Sequence, residues 1–211
     1  MLSFPKIILA SQSPARAKVL GQIQIPFLAI PSKIDENSDE NKTVDPQKYV
    51  LRISQKKVTS VAIQQQYEQK NYVIVGCDTV VVSSSNTIIG KPKNREEAAF
   101  VLRILSGDSH TVITGCTIVI YPDKVKYQTV VSTVVNFRTL VDEEINYYLE
   151  KGEWKNKAGG YAIQGLGAIL IDKIEGDYYN IVGLPVSWIW QTLWNHYGKK
   201  LLLIKKEIDK R

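Results

Sequence analysis

The run Tyr72–Val82 (YVIVGCDTVVV) constrains the fold of this chain more than any other segment. It is β-branched and almost wholly apolar apart from Asp78 and Thr79, which predicts a buried strand within a sheet. An ionised carboxylate among valines and isoleucines is costly unless a partner holds it. Asp78 therefore predicts a metal ion, a cationic side chain or a substrate beside this strand, or else a structural cap on a nearby backbone amide.

Strands and helices interleave along the rest of the chain without a strict βαβ alternation. This pattern predicts an α/β fold with a mixed, twisted β-sheet and flanking helices. Further strands are predicted at 6–10, 25–30, 87–90, 111–121, 126–139 and 168–171. Helices are predicted at 14–22, from 45, at 95–105, at 142–150 and from 185, where Trp190 and Trp194 join a core-facing stripe.

Composition narrows the class of protein. Of the net charge of +6, residues 199–211 carry +4, from six basic and two acidic residues, so the remaining 198 residues carry only +2. We therefore expect a single domain over 1–211 with a solvated basic tail, and no nucleic-acid-binding motif accompanies that tail. Two cysteines and two histidines argue against a disulfide scaffold and a Cys/His zinc site. The chain opens on no signal-peptide pattern and has no membrane span, so a cytoplasmic location is expected.

Several cations lie in segments that suit an anion. Ser13 is a predicted N-cap with Pro14 at the first helical position, and backbone N–H groups converge at such a helix start. Arg16 lies in the first turn, where a cation is unfavourable unless it faces a bound anion. Lys91 sits in the rigid turn Gly-Lys-Pro, and Lys56 shares a helical face with a preceding arginine. Together these residues predict a phosphate site.

Residues 157–165 (KAGGYAIQG) form a glycine-rich segment that matches neither a P-loop nor a dinucleotide-binding fingerprint. Its glycines permit unusual backbone dihedral angles or a close approach to a ligand. The segment is either a tight connection or part of a binding site, and the pattern alone leaves both open.

Taken together, six segments resemble the motifs of the Maf family of nucleoside triphosphate pyrophosphatases, in the same order. Residues 8–16 (ILASQSPAR) look like its LASxSPRR motif, and residues 52–56 (RISQK) are similar to its RLAxxK helix. The other matches are 76–81 (GCDTVV), 90–92 (GKP), 157–165 and 183–185 (GLP). The resemblance covers nearly the whole chain and implies a Maf/ITPase-like fold with two lobes around a central cleft.

The resemblance also implies an activity and a set of site residues. The expected reaction is metal-dependent hydrolysis between the α and β phosphates of a nucleoside triphosphate, giving a monophosphate and pyrophosphate, by a homodimer. The implied phosphate-binding residues are Ser11, Ser13, Arg16, Lys56 and Lys91. Asp78 matches the family's proton acceptor and is either a general base or a ligand of Mg²⁺, with Mn²⁺ as the alternative metal. Glu36, or its neighbour Asp35, occupies the position of a second acidic residue.

Base preference follows from three positions. Thr79 and Gln164 match the branch of the family that acts on dTTP and UTP, and a Gln amide suits the N3–H and carbonyl of a pyrimidine. Ala15 stands where that branch usually has arginine. The alternatives are a pyrophosphatase for 7-methyl-GTP or another modified nucleotide, whose branch has an acidic residue in place of the Gln, and a non-catalytic nucleotide-binding regulator of cell division. Binding to nucleic acid through the basic tail is a third class.

Overall fold

The computed structural model describes residues 5–34, 45–65 and 71–203. Its strands are β1 (Lys6–Leu9), β2 (Phe27–Ala29), β3 (Tyr72–Val82), β4 (Ile88–Ile89), β5 (Ser109–Tyr121), β6 (Val125–Phe137) and β7 (Ile171–Glu175). Its α-helices are α1 (Pro14–Gln22), α2 (Pro46–Gln65), α3 (Arg95–Leu105), α4 (Asp142–Glu150), α5 (Tyr178–Val182) and α6 (Val186–Tyr197), with 3-10 turns at Ala158–Gly160, Gly165–Leu170 and Gly198–Leu203. None of the helices in these ranges has the length and apolar character that a membrane span requires.

The described strands form one mixed sheet in the order β2-β1-β3-β5-β6-β7, with β4 paired to the end of β3. Strand β1 is parallel to β2 and β3, and the other pairs are antiparallel. Strand β3 pairs with β5 along its entire length, from Tyr72 opposite Tyr121 to Val82 opposite Thr111. The prediction of an α/β fold with a mixed sheet and flanking helices is confirmed.

Helices cover both faces of the sheet because side chains alternate along the buried strands. One face packs against α2, whose predicted apolar side is buried: Val50, Ile53, Val58, Val61 and Ala62. The opposite face carries two apolar clusters, one with α1 and α6 and the other with α3 and α4. The short helix α5 contributes to both clusters and lies where they meet.

Two glycines let α2 lie directly on the sheet. A Cβ atom added at Gly115 of β5 would come within 2.5 Å of the backbone carbon of Val50, and one at Gly76 of β3 within 2.7 Å of the Ser54 carbonyl oxygen. The Ser54 hydroxyl also shares a hydrogen bond of 2.7 Å with the hydroxyl of Thr117. The contact leaves no room for a side chain, so the position of α2 over β3 is fixed within narrow limits.

The edge of β3 that faces away from β5 is paired at both ends and open between them. Strand β1 pairs with it only as far as Val75, and β4 begins to pair only at Val81. Among the described residues, no strand pairs with Gly76–Val80 on this side. The chain enters α1 directly after β1 and the Gly-Lys-Pro turn directly after β4, so two of the predicted phosphate-binding segments lie at the two ends of this opening.

Two predictions near the carboxyl end are wrong. Residues 168–170, predicted as part of a strand, belong to a 3-10 turn, because the Glu153 carboxylate accepts the backbone N–H groups of Leu166 and Gly167 and favours a helical turn there. The strand is Ile171–Glu175. Trp194, predicted to face the core, is 37% exposed and stacks on Trp190 with ring centroids 6.3 Å apart.

Candidate active site

The connection from β1 to α1 has the geometry that its sequence predicts. The Ser13 side chain accepts the backbone N–H of Arg16 at 3.4 Å and caps the helix, with proline at its first position. The Ser11 hydroxyl accepts the backbone N–H of Ser13 at 3.1 Å, and Ser11 is buried. These hydrogen bonds order the turn, and the side chain of Arg16 extends from it to Thr79 in the unpaired stretch of β3.

Three protein groups hold the guanidinium of Arg16. Its Nε donates to the carbonyl oxygen of Gly183 at 2.7 Å, its Nη2 donates to the Thr79 hydroxyl at 2.9 Å, and its Nη1 lies 3.5 Å from the Ser11 hydroxyl. Because Nε and Nη2 form one edge of the planar group, the protein holds that edge. Nη1 and Nη2 each carry a second N–H, so a guanidinium held in this way can still donate to a phosphate or carboxylate.

Gly183 explains why the Gly-Leu-Pro segment belongs to this site. Its φ of +98° is in the left-handed region, and a Cβ atom there would lie 3.0 Å from the Thr79 hydroxyl and 3.1 Å from Nε of Arg16. A side chain at this position would displace the guanidinium. The sequence pattern identified the segment but not this contact, which joins residues 167 positions apart.

Asp78 lies on the other face of β3, where α2 covers the strand. Its Oδ1 accepts the ammonium of Lys57 at 2.7 Å, and the two side chains are only 9% and 6% exposed. Lys57 also donates to the carbonyl oxygen of Cys77 at 3.3 Å. Of the partners that the sequence left open for Asp78, a cationic side chain is therefore present.

The structure brings Lys57, and not Lys56, to Asp78. Lys56 is exposed on the outer side of α2, where it lines a groove of about 420 Å³ together with Arg52 and Ile34. The signal for Lys57 was available in the sequence: the six-position motif RLAxxK, counted from Arg52, has its lysine at position 57. Adjacent residues of a helix are turned about 100° from each other, so Lys57 faces the sheet and is buried while Lys56 is exposed.

Lys91 and the glycine-rich segment meet at the far end of the opening. Gly90, which precedes Lys91, accepts the backbone N–H of Gly159 at 3.0 Å, and Lys91 itself is exposed. Gly159 has a φ of +69°, and a Cβ atom there would lie 3.0 Å from the Val81 side chain. The segment is thus a close connection packed against the end of β3.

Gln164 follows in the same segment and is half-buried, and its side-chain amide makes no hydrogen bond to the described residues. An amide so placed can still donate and accept to a ligand. A pair of buried rings anchors the segment: the Tyr161 hydroxyl lies 2.7 Å from Nε2 of His110. Burial lowers the pKa of His110 to about 4, so the imidazole is neutral at physiological pH.

Three residues predicted for the site remain: Ala15, Asp35 and Glu36. Ala15 is half-buried in the first turn of α1, beside Arg16. Asp35 and Glu36 lie outside the described residues. The described part of the chain contains no group of three or more His, Cys, Asp or Glu side chains that could hold a metal ion.

One carboxylate oxygen of the site can still take a metal ligand's role. Asp78 Oδ2 makes no hydrogen bond to the described residues, since Lys57 contacts Oδ1. Mg²⁺ is commonly held by one or two carboxylates together with substrate phosphates rather than by a complete cage of protein ligands. The residues present therefore fit a divalent ion that enters with a polyphosphate.

The two cysteines lie on the face of the sheet opposite α2 and are buried from solvent. Cys77 and Cys116 are directly opposite each other on β3 and β5, with sulfur atoms 3.3 Å apart, and both are free and fully buried. Cys116 thus packs as a small buried hydrophobic residue.

Comparison with known proteins agrees with this geometry. Residues 6–196 match the family model described as a Maf-like protein. The chain is 42% identical to the dTTP/UTP pyrophosphatase of a Thermoanaerobacter species over 197 residues, which is 93% of this chain and 100% of that protein. It is 42% identical to the dTTP/UTP pyrophosphatase of Thermosipho melanesiensis (90% and 97% covered) and 43% identical to that of Dictyoglomus turgidum (93% and 98% covered).

A solved structure of a nucleoside-triphosphatase (dITP/XTP pyrophosphatase) from Mycobacterium abscessus aligns with 63% of this chain and 72% of its own. The TM-score is 0.39 and the identity 13%.

Proposed function

The chain belongs to the Maf family, and from that premise we propose that it is a pyrophosphatase that hydrolyses pyrimidine nucleoside triphosphates, dTTP and UTP, between the α and β phosphates. Relatives that bear this activity in their names align with nearly the whole chain and support the proposal. The observation that carries it is the unpaired stretch of β3 that contains Asp78 and Thr79, with the turn that carries Arg16 at one end and the turn that carries Lys91 at the other.

The phosphates are the part of the substrate that this opening fits best. The remaining N–H groups of the Arg16 guanidinium would donate to non-bridging oxygens, and the dipole at the start of α1 would add attraction. Lys91 would contribute a point charge from the opposite end. Phosphoryl transfer depends mainly on positioning and on neutralising charge, and this set of cations supplies both.

Asp78 would accept a proton from the attacking water. Its Oδ1 is fixed by Lys57, so its Oδ2 is presented in one orientation to a water placed in line with the α phosphorus and the leaving pyrophosphate. In this proposal Lys57 has the role that the motif comparison gave to Lys56. A bound Mg²⁺, for which Asp78 Oδ2 and the phosphates are candidate ligands, would neutralise charge on the phosphate oxygens.

Base selection would depend on Gln164 more than on Thr79. The Gln164 amide has no hydrogen-bonding partner among the described residues and can pair with the N3–H and a carbonyl of uracil or thymine. Thr79, by contrast, is engaged with Arg16. A site that hydrogen-bonds a base through a half-buried amide discriminates strongly, because the wrong base leaves that amide unpaired.

A substrate panel tests reaction and specificity together. We expect dTTP and UTP, with Mg²⁺, to give the monophosphate and pyrophosphate, so that orthophosphate is detected only after an inorganic pyrophosphatase is added. Gln164→Glu should lower kcat/KM for UTP by roughly 100-fold, while Gln191→Glu on the exposed side of α6 should not. Preferred turnover of 7-methyl-GTP, or direct release of orthophosphate, would contradict the proposal.

Two substitutions test the acidic residue. Asp78→Asn should lower kcat by about 100-fold to 10,000-fold because the proton acceptor is lost. Asp172→Asn, on the exposed surface of β7, is the matched control and should leave kcat unchanged. Nucleotide binding without turnover in the unmodified protein would favour a regulatory role instead.

The adjacent lysines provide a further matched pair. Lys57→Met should reduce turnover about as much as Asp78→Asn, whereas Lys56→Met should retain more than about half of the activity, since a surface cation far from the reacting atoms contributes little. Equal losses from the two substitutions would mean that the buried pair has no special part in the reaction.

We also propose that the protein works as a cytoplasmic homodimer, as the resemblance to the family implies. Sedimentation equilibrium at micromolar concentration measures the oligomeric state, and a mass of one chain, 23.8 kDa, would contradict the dimer. Cell fractionation tests the cytoplasmic location.

A further inference from the structure

Behind the guanidinium of Arg16, a line of buried hydroxyl groups crosses the sheet. The Thr79 hydroxyl, which accepts Nη2 of Arg16, lies 2.9 Å from the hydroxyl of Thr114, its direct neighbour on β5. The Thr114 hydroxyl lies 3.1 Å from the backbone carbonyl oxygen of Asn180 in α5. Thr114 is fully buried, so its hydroxyl must find its hydrogen-bonding partners within the protein.

The hydrogen atoms of this line can be arranged in one way only. A carbonyl oxygen is only an acceptor, so the single O–H of Thr114 donates to Asn180. Thr114 then has nothing left to donate, and the contact with Thr79 must be made by the O–H of Thr79. The oxygen of Thr79 consequently presents its lone pairs to Arg16, which can only donate.

The far end of this line of hydroxyl groups is connected back to Arg16 through α5. Asn180 belongs to α5, which ends at Gly183, and the Gly183 carbonyl oxygen accepts Nε of Arg16 at 2.7 Å. The Nε–Nη2 edge of the guanidinium is thus held at two points by groups that are fixed to the same short helix. Two points of attachment set the orientation of a planar group as well as its position.

We propose that Thr114 is a positioning residue for the reaction: it fixes the O–H direction of Thr79 and thereby the position of the Arg16 guanidinium, which would bind the polyphosphate. The inference rests on the proposed function for its consequence on catalysis, but its geometric part concerns the free protein. It assigns a role to a residue that lies outside every motif of the sequence and touches no ligand. It also means that the O–H of Thr79 is not available to donate to a base.

The test has one readout that needs no substrate. In an NMR spectrum of the free protein, assigned through Arg16→Lys, we expect Thr114→Val to speed solvent exchange of the Arg16 Nη2–H groups by at least about tenfold, because the Thr79 hydroxyl that accepts Nη2 is no longer held by Thr114. Thr114→Ser, which keeps the hydroxyl, should stay within about twofold of the unmodified protein. If Thr114→Val does not fold, Thr114→Cys replaces it, since a thiol is a weak donor and acceptor.

The second readout is kinetic. Thr114→Val should lower kcat/KM for dTTP by roughly tenfold, mainly through KM, and Thr114→Ser should restore it. In an Arg16→Lys background the same substitution should change kcat/KM less than about twofold, because no guanidinium remains to be oriented. Thr117→Val is the control for the exchange readout: Thr117 is also fully buried on β5 but hydrogen-bonds to Ser54 and Gln128, so exchange of the Arg16 Nη2–H groups should stay unchanged.

The outcomes separate this inference from the proposed function. Unchanged exchange of the Arg16 Nη2–H groups in Thr114→Val overturns the inference whatever the activity, and so does an equal loss of kcat/KM in both backgrounds. Faster exchange in a protein whose unmodified form releases no pyrophosphate from any nucleotide would instead refute the proposed function and leave the positioning of Arg16 established.

Discussion

The ion pair between Lys57 and Asp78 is expected to cost stability heavily when only one partner is removed. Both side chains are more than nine-tenths buried, beneath a helix that two glycines allow to lie on the sheet. Substituting Lys57→Met leaves a carboxylate in a place that water scarcely reaches, and Asp78→Asn leaves an ammonium there. Removing both partners in the double variant leaves no buried charge.

The size of the effect follows from the geometry. At 2.7 Å the attraction between the two charges is about 6 kcal/mol for an effective dielectric constant of about 20. Desolvation of the two ions offsets most of that gain, so the intact pair contributes little net stability, whereas breaking it costs about 3–5 kcal/mol. Each single variant should therefore lose roughly 10 °C in Tm, and the double variant should lie within about 1–2 kcal/mol of the unmodified protein.

Urea denaturation at pH 7, followed by tryptophan fluorescence, measures these free energies of unfolding. All three variants should be inactive in the pyrophosphate assay, including the double variant whose stability recovers. If the double variant loses the sum of the two single losses, the two groups do not interact, and the argument that Lys57 orients Asp78 fails with it.

Three further predictions concern the scaffold of the site. Gly115→Ala should lower the free energy of unfolding by about 1–3 kcal/mol and reduce turnover, because the added methyl group displaces α2. Gly21→Ala is the control, since a Cβ atom at this position of α1 would meet no atom within 4 Å. It should be neutral or stabilise the protein by up to about 1 kcal/mol in the same urea assay. The folded state keeps His110 neutral, because its pKa near 4 lies below the unfolded value of 6.5. The free energy of unfolding should therefore fall by about 2 kcal/mol as the pH drops from 7 to 5. His110→Gln should remove this contribution, and the same pH dependence of stability in that variant would contradict the assignment. The thiols of Cys77 and Cys116 should react with Ellman's reagent only in denaturant, and rapid labelling of the native protein would show that β3 opens locally.

The elements that sequence reasoning located best are those marked by local chemistry. Helix α1 is bounded as predicted because Ser13 caps it and a proline follows, and α3 begins after the Asn94 cap. Strand β3 was found through its β-branched run. By contrast, the five residues of α5 are too few to show a helical period, although the side chain of Asp177 caps its start.

The site was predictable in outline and not in its connections. Patterns identified Arg16, Asp78 and the Gly-Leu-Pro segment as separate features, but nothing local indicates that Arg16 bonds to a carbonyl 167 residues away. Thr114 carries no signal at all, since one threonine in a buried strand looks like any other until the partner across the sheet is known. The spacing of the lysine motif, in contrast, did contain the distinction between the two neighbouring lysines.

The short opening between β1 and β4 has a consequence for how the protein avoids self-association. An unpaired strand edge is a template on which another chain can add a strand, and proteins protect such edges. Here the unpaired stretch is about 17 Å long and closed at both ends, and the guanidinium of Arg16 lies beside it, hydrogen-bonded to Thr79, where an incoming apolar strand could not cover it without a large desolvation cost. The same guanidinium that would receive a nucleotide thus acts against strand addition at this edge, so variants that neutralise Arg16 are expected to precipitate more readily than their stability alone would explain.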